Sequence, residues 1–253
     1  MFHRIELKNI QLPNIYSKRK MVHNIERLFV IINSYLNKGY SFGNIEEARI
    51  NPLILHLTFD DGYKEHLEVA RILKKQYNLS YYNITFSINI GNSFFQKNIC
   101  MDFIYRLIEL NRLNELIDII KLDTDDIQSI KKYLFSKSEV EIEKIFSSIP
   151  DIYLNNIFLN EEEVYALSKE FSIASHSMTH HFLTSSNELN YEIATSKKFL
   201  EDKLNLKIET FCYPEGKNNI HIQKICQKEG YKYALSIRGN LKNKFAISRE
   251  VIH

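Results

Sequence analysis

The chain has 253 residues, of which 44% are hydrophobic and 25% are charged, and its formal net charge is +2. A charge so close to zero argues against a nucleic-acid-binding surface, and no apolar run approaches the length of a transmembrane helix. The three cysteines have neither disulfide nor zinc-knuckle spacing. Because the N-terminus lacks the apolar segment of a signal peptide, we expect a cytoplasmic protein.

The first half of the chain alternates helical and β-type patterns. Helices are predicted at 24–37, 64–77 and, in succession, over 101–148; strands are predicted at 53–59 and 81–90. The run 53–59 is too short and too rich in β-type residues for a helix. A loop and a short helix join the first helix to this strand.

The second half continues the alternation. Helices are predicted at 160–170, 187–205 and 221–229, and strands at 171–175, 208–213, 233–237 and 245–248. Asn160, with Glu163 three residues later, is similar to a capping box at the start of a helix. Gly230 is a typical helix terminator.

This alternation favours a parallel sheet with helical crossovers. About six βα units in a chain of this length favour a barrel over an open sheet, so we predict an α/β fold that forms one domain over residues 1–253. The helices at 101–148 are too long for a single crossover. We interpret them as a helical insertion between barrel units.

Polar side chains follow four of the predicted strands at the point where each strand ends. They are Asp60 and Asp61, His176 and His180, the Pro214-Glu215-Gly216 segment, and Arg249. In parallel α/β barrels the active site is built at that end of the strands. We therefore expect these four segments to converge on one site.

Imidazole and carboxylate groups form a common ligand set for Zn²⁺ and other divalent ions. His176 and His180 can face one ion, whereas the neighbouring His181 would point elsewhere. Asp61 is the candidate third ligand, which leaves Asp60 free to act as a base on a water molecule activated by the ion. The alternatives are an ordinary strand-ending Asp-Asp-Gly turn and a pair of solvent-facing histidines.

Three segments in this order, "LTFDDGY", "ASHSMTHHFLT" and "FCYPEG", resemble the polysaccharide deacetylase family, the NodB-like carbohydrate esterases of family 4. The resemblance covers about residues 50–253. It implies a distorted (β/α) barrel of about seven parallel strands. It also implies hydrolysis of an N-acetyl group from a sugar with a divalent metal, Zn²⁺ first and otherwise Co²⁺, Mn²⁺ or Ni²⁺.

The resemblance also assigns roles by position. The first aspartate of the motif, Asp60, would be the catalytic base, and the second, Asp61, a metal ligand. His176 and His180 would complete the ligand set. The third motif would supply a backbone N–H group to the oxyanion, here from Glu215.

The chain departs from the family pattern in several places. Cys212 stands where the family often has an arginine, and we hypothesise that Arg249 supplies this guanidinium instead. Tyr213 and Pro214 belong to the altered third motif, where we expect substrate-binding residues. The tryptophan of the fourth motif is absent, and His253, in "VIH", is the counterpart of the histidine that usually acts as general acid.

The resemblance leaves three functions open. The first is removal of an N-acetyl group from an amino sugar of a cell-envelope glycan or of its precursor. The second is a deformylase or an O-acetyl esterase of the same fold, and the third is a non-catalytic carbohydrate-binding relative. The expected partner is an N-acylated amino sugar or glycan, not nucleic acid, and the oligomeric state stays open.

Overall fold

The computed structural model describes residues 1–8, 12, 16, 22–95, 97, 100–152 and 157–252. The strands are β1 (Arg4–Glu6), β2 (Val22–Asn24), β3 (Ser41–Phe42), β4 (Ile54–Leu55), β5 (Leu57–Phe59), β6 (Ile84–Ile88), β7 (Ser172–Ser175), β8 (Thr210–Cys212), β9 (Tyr233–Ser236) and β10 (Ile247–Ser248). The helices are α1 (Ile25–Leu36), α2 (Ile45–Ile50), α3 (His66–Tyr77), α4 (Ile90–Phe95), α5 (Cys100–Glu109), α6 (Leu113–Ile120), α7 (Ile127–Leu134), α8 (Glu139–Ser147), α9 (Glu161–Glu170), α10 (Ser196–Leu204) and α11 (Ile220–Lys228).

The main sheet is parallel and has the order β10-β9-β8-β7-β6-β5. All five residues of β6 are buried, as expected for a parallel strand that helices cover on one face and the barrel interior covers on the other. The sheet curls into part of a barrel, which confirms the predicted fold class. The carboxyl ends of its strands lie along one edge of the sheet, and the predicted site is at that edge.

The sequence predicts about seven strands, whereas the main sheet has six within the described residues. The segment Met1–Phe2 lies in the gap between the two edge strands. Phe2 N donates to Thr58 O on β5 (2.9 Å), and Ile252 N, after β10, donates to Met1 O (3.4 Å). This segment therefore occupies the place that a seventh strand would take.

Local sequence signals explain several element boundaries. Asn160 and Glu163 form the predicted capping box at the start of α9, each side chain accepting the other residue's backbone N–H at 2.9 Å. The strand predicted at 53–59 is interrupted at His56, whose ring contacts Gly43 O and Thr85 Oγ1, both at 3.0 Å. The side chain thereby ties β5 to its neighbours.

Two large hydrophobic clusters lie under these elements, beside a small third one. The larger one fills the barrel and the space beneath its helices, and Phe59 stacks there on Phe2 and Phe86 with ring centroids 5.4 and 5.1 Å apart. Each such buried phenylalanine contributes roughly 1.5–3 kcal/mol. The smaller of the two large clusters packs the helices of 101–148 against one another and includes Leu107 and Leu134.

The helices α5 to α8 span the predicted insertion and join β6 to the segment before α9. That residues 1–253 form a single domain stays a prediction. In the part of the chain that the structure describes, no helix is both long and apolar enough to cross a bilayer.

Candidate active site

The predicted residues meet at the carboxyl edge of the sheet. Asp60 and Asp61 follow β5, His176 follows β7, and Glu215 follows β8. Together with His180 they line a cavity of about 190 Å³. The convergence expected from the strand ends is therefore present.

Three side chains face one point in this cavity. The Nε2 atoms of His176 and His180 each lie 3.2 Å from Asp61 Oδ1, and all three ligand atoms lie within 4.8 Å of one another. Asp61 Oδ1 is buried and has no hydrogen-bond partner among the described residues. An unsatisfied buried carboxylate oxygen facing two imidazole nitrogens is costly unless a cation lies between them.

The orientation of His176 fits the same interpretation. Its Nδ1 lies 2.8 Å from Cys212 O, and since a carbonyl can only accept, Nδ1 carries the proton. In the neutral ring the lone pair is then on Nε2, which faces Asp61. A backbone carbonyl that fixes the ligand tautomer is typical of metal-binding histidines. The donor set therefore fits a divalent ion with three protein ligands.

The loop that carries the two histidines is tightly held. Ser177 and His180 have positive φ angles of 65° and 61°, a conformation that non-glycine residues adopt only when their surroundings hold it. Glu192, in a π-helical turn over Tyr191–Thr195, accepts the backbone N–H groups of Met178 (3.0 Å) and Thr179 (3.1 Å). These contacts place His180 relative to His176.

Asp60 lies beside the three ligands but pairs with a different group. Arg249 donates to both of its carboxylate oxygens at 2.8 Å, and Cys212 Sγ lies 3.5 Å from the same oxygens. Burial would raise the pKa of Asp60, but the Arg249 guanidinium holds that pKa well below its usual range. Asp60 is therefore ionised and fixed in orientation.

Asp60, His176 and Cys212 are also close enough to hold an ion. Arg249 already occupies that side of Asp60, and its Nη2 lies 3.1 Å from Cys212 Sγ. His176 Nδ1 faces the Cys212 carbonyl. A second ion at this position would meet a fixed guanidinium, so the group does not form a second metal site.

The third motif adopts an uncommon backbone conformation. Glu215 has φ 57°, and the following Gly216 has φ 64°. The Glu215 side chain pairs with Lys131 Nζ at 2.6 Å. Burial would raise the pKa of Glu215, but Lys131 lowers it, so the Glu215 carboxylate is ionised.

The two predicted substrate-binding residues are both buried. The Tyr213 side chain packs against Phe211 and donates to Phe245 O at 2.9 Å, so its hydroxyl group is committed inside the fold. Pro214 begins the turn that positions Glu215. Their role in substrate binding stays a prediction, and so does that of His253, which lies outside the described residues.

The cavity also contains residues that the sequence did not indicate, namely His3, Asp102, Tyr105 and Lys131. Asp102 accepts hydrogen bonds from the hydroxyls of Tyr16 and Tyr63. Burial raises the pKa of Asp102 to about 6. These residues come from the N-terminal segment and from the insertion, where no local motif marks them.

Comparison with known proteins agrees with the motifs. A family model described as polysaccharide deacetylase matches residues 145–234, a span that contains the histidine motif and the third motif. No curated protein matches the chain. The family match confirms the resemblance over the second and third motifs, whereas the first motif lies outside the matched residues.

Several solved structures share the fold over most of the chain. They include the Streptococcus pyogenes deacetylase PplD in complex with acetate, 16% identical, with 93% of this chain and 80% of that chain covered and a TM-score of 0.58. IcaB from Ammonifex degensii is 13% identical, with 100% and 91% covered and a TM-score of 0.59. A de-N-acetylase from Aggregatibacter actinomycetemcomitans is 15% identical, with 100% and 95% covered and a TM-score of 0.55. At these identities the likeness shows the fold.

Proposed function

We propose that the protein is a metal-dependent hydrolase that removes an N-acyl group, first of all an acetyl group, from an amino sugar. The observation that carries this proposal is the convergence of Asp61, His176 and His180 on one point, beside an Asp60 that is held apart by Arg249. A ligand triad next to a carboxylate outside the triad can supply the ion site and the general base for metal-assisted hydrolysis of an amide.

A divalent ion in this site would lower the pKa of a bound water molecule and polarise the acyl carbonyl group. Asp61 and the two histidines would hold it. Asp60, ionised and oriented by Arg249, accepts a proton from the attacking water on one of its carboxylate oxygens. The backbone N–H of Glu215 donates a hydrogen bond to the oxyanion, an interaction typically worth about 3–4 kcal/mol.

The leaving amine needs a proton before the C–N bond can break. Asp60, once it has taken the proton from water, can return it to the nitrogen. His3 lines the same cavity and is a second candidate donor. His253, the counterpart suggested by the family resemblance, remains a third.

Zn²⁺ is the metal we propose, because two imidazoles and one carboxylate with an open position form a common catalytic zinc set. The choice of a sugar amide rests on the family match and on the related structures, which are named as polysaccharide deacetylases and de-N-acetylases. A cell-envelope glycan or its precursor is the proposed source of that sugar.

The experiment is an assay of acid release by metal-free protein to which Zn²⁺, Co²⁺, Mn²⁺ or Ni²⁺ is added. N-acetylated, N-formylated and O-acetylated sugars are compared, so that the deacetylase, deformylase and esterase alternatives give different products. We expect acetate release that depends on added metal and is lost in Asp60→Asn. A protein that binds sugar but releases no acid with any metal would instead be a carbohydrate-binding relative.

A further inference from the structure

We propose that the helical insertion restricts this site to small substrates, namely a free or chain-terminal N-acylated amino sugar. The proposal rests on the proposed function and names the substrate class of the same site. It follows from which residues line the cavity, from how the insertion is fixed above them, and from how deeply the reacting groups are buried.

The insertion supplies part of the cavity wall. Met101, Asp102 and Tyr105 of α5 and Lys131 of α7 line the same space as the ligand triad. The cavity, at about 190 Å³, is smaller than the roughly 300–1,000 Å³ typical of sites for drug-sized ligands. This space fits a single sugar ring better than several rings.

Three contacts fix the insertion over the loops that carry the reacting groups. Phe135, directly after α7, stacks on Phe182 with ring centroids 4.3 Å apart and meets His181 edge-on at 5.8 Å. Lys131 pairs with Glu215 at 2.6 Å, and its side chain is only 10% exposed. The insertion is therefore joined both to the histidine loop and to the turn after β8.

Burial of the reacting groups leads to the same conclusion. Four residues at the reaction site are each at most 5% exposed, namely Asp60, Asp61, His176 and His180. An internal residue of a polymer has chain on both sides and needs a groove that is open at two ends. A terminal residue needs only one opening, which suits reacting groups that are this deeply buried.

The test compares free N-acetylglucosamine with its pentamer labelled at the reducing end. For the metal-loaded wild type we expect deacetylation of the monomer and of a terminal residue of the pentamer, with internal residues at least about tenfold slower. Lys131→Ala should release the insertion from the turn after β8. We therefore expect the ratio of internal to terminal deacetylation rates to rise at least about tenfold. Lys132→Ala, an exposed lysine on the same helix, is the matched control and should not change the ratio.

Equal rates at internal and terminal residues of the wild type would overturn the proposal, and so would an unchanged ratio in Lys131→Ala. Binding of both sugars to metal-loaded Asp60→Asn separates this proposal from the chemistry. Preferential binding of the monomer, together with no acid release by the wild type, would reject the proposed hydrolysis and support the size restriction. Equal binding along the pentamer would reject the size restriction even if the wild type is active.

Discussion

Arg249 binds Asp60 through two parallel hydrogen bonds, from Nη1 to Oδ1 and from Nη2 to Oδ2, each 2.8 Å long. Asp60 follows β5 and Arg249 follows β10, which are the two outer strands of the sheet. The two side chains meet because the curled sheet brings the ends of these strands close together. The family resemblance predicts a guanidinium at the position of Cys212. Here Cys212 Sγ contacts the same arginine at 3.1 Å, so a guanidinium reaches the aspartate from a different strand.

We predict that Arg249→Ala lowers kcat by about 100-fold, because Asp60 loses the pair that fixes its orientation and its ionisation. Arg249→Lys should also lose most of the activity, since one ammonium group cannot bind both oxygens in this geometry. The measurement is steady-state kinetics of acid release together with metal affinity, which should stay close to that of the wild type. Arg27→Ala, at an exposed arginine, controls for loss of charge; wild-type turnover in Arg249→Ala would rule out the role.

Adjacent histidines allow a matched test of metal binding. His180 Nε2 faces Asp61, whereas His181 Nδ1 lies 2.6 Å from Thr179 Oγ1. We predict that His180→Ala weakens the binding of one equivalent of Zn²⁺ by at least about 100-fold, because a direct ligand matters more than the surrounding residues, whose loss costs about 10–100-fold. Calorimetric titration of metal-free protein should show near-normal affinity for His181→Ala. Equal losses in both variants would contradict the ligand assignment.

Sequence reasoning located the parts of the site that depend on strand ends. Asp60, Asp61, His176 and His180 each follow a short apolar run, and the carboxyl ends of parallel strands must meet at one edge of the sheet. The hypothesis that Arg249 reaches Asp60 used the same rule. Local pattern was sufficient in these cases because each residue lies one or two positions after a strand, except His180, which follows His176 by four positions in the same loop.

Other features depend on packing between distant segments and left no local signal. Lys131 reaches Glu215 only because α7 packs against the loops after β7 and β8, and Asp102 reaches the cavity only because α5 lies beside Tyr63. Likewise, the alternation of strands and helices did not reveal that Met1–Phe2 fills the gap in the barrel, because this segment is too short for a periodic pattern.

Glu192 is predicted to act as a positioning residue for the metal ligands. Glu192→Ala would leave the buried N–H groups of Met178 and Thr179 without their acceptor, at a cost of about 1–3 kcal/mol each. We expect Zn²⁺ affinity to fall about 10–100-fold as the loop loses its fixed shape. Glu192→Gln keeps one acceptor oxygen, so its Zn²⁺ affinity should lie between those of the wild type and Glu192→Ala. Glu188→Gln changes an exposed glutamate and should match the wild type in Zn²⁺ affinity. Unchanged affinity in Glu192→Ala would show that the loop is held by its other contacts.

Asp102 should make stability depend on pH. Its pKa is raised from 3.8 to about 6 by burial, so the folded protein binds this proton more tightly than the unfolded chain does. The corresponding stability is present below about pH 4 and is lost as pH rises through about 6, and the two-unit shift corresponds to roughly 3 kcal/mol. Asp102→Asn resembles the protonated form and lacks this dependence.

Urea unfolding of the wild type and Asp102→Asn at intervals from pH 4 to pH 7 checks this prediction. As pH rises, the free energy of unfolding of the wild type should fall relative to that of Asp102→Asn. The difference between the two proteins should level off above pH 7. A difference that stays constant with pH would mean that Asp102 has the same pKa in the folded and unfolded states.

The turn after β8 offers a final test of the Glu215 backbone. Gly216 has φ 64°, and a Cβ there would lie 2.7 Å from Ile237 Cβ and from Ile237 N. Gly39 has φ 88° and open space around the same position. Gly39→Ala should therefore cost only the strain of a positive φ, about 1 kcal/mol, whereas Gly216→Ala must also displace the backbone of Ile237.

We expect Gly216→Ala to lose clearly more stability than Gly39→Ala and to lower kcat at least about tenfold, because the shift moves the N–H group of Glu215 away from the oxyanion. Zn²⁺ affinity should change little, since none of the three ligands lies on this turn. Thermal unfolding, kinetics and metal titration of the two variants decide the question. If kcat in Gly216→Ala falls no more than in Gly39→Ala, the Glu215 N–H does not stabilise the transition state, and the oxyanion must be held by other groups.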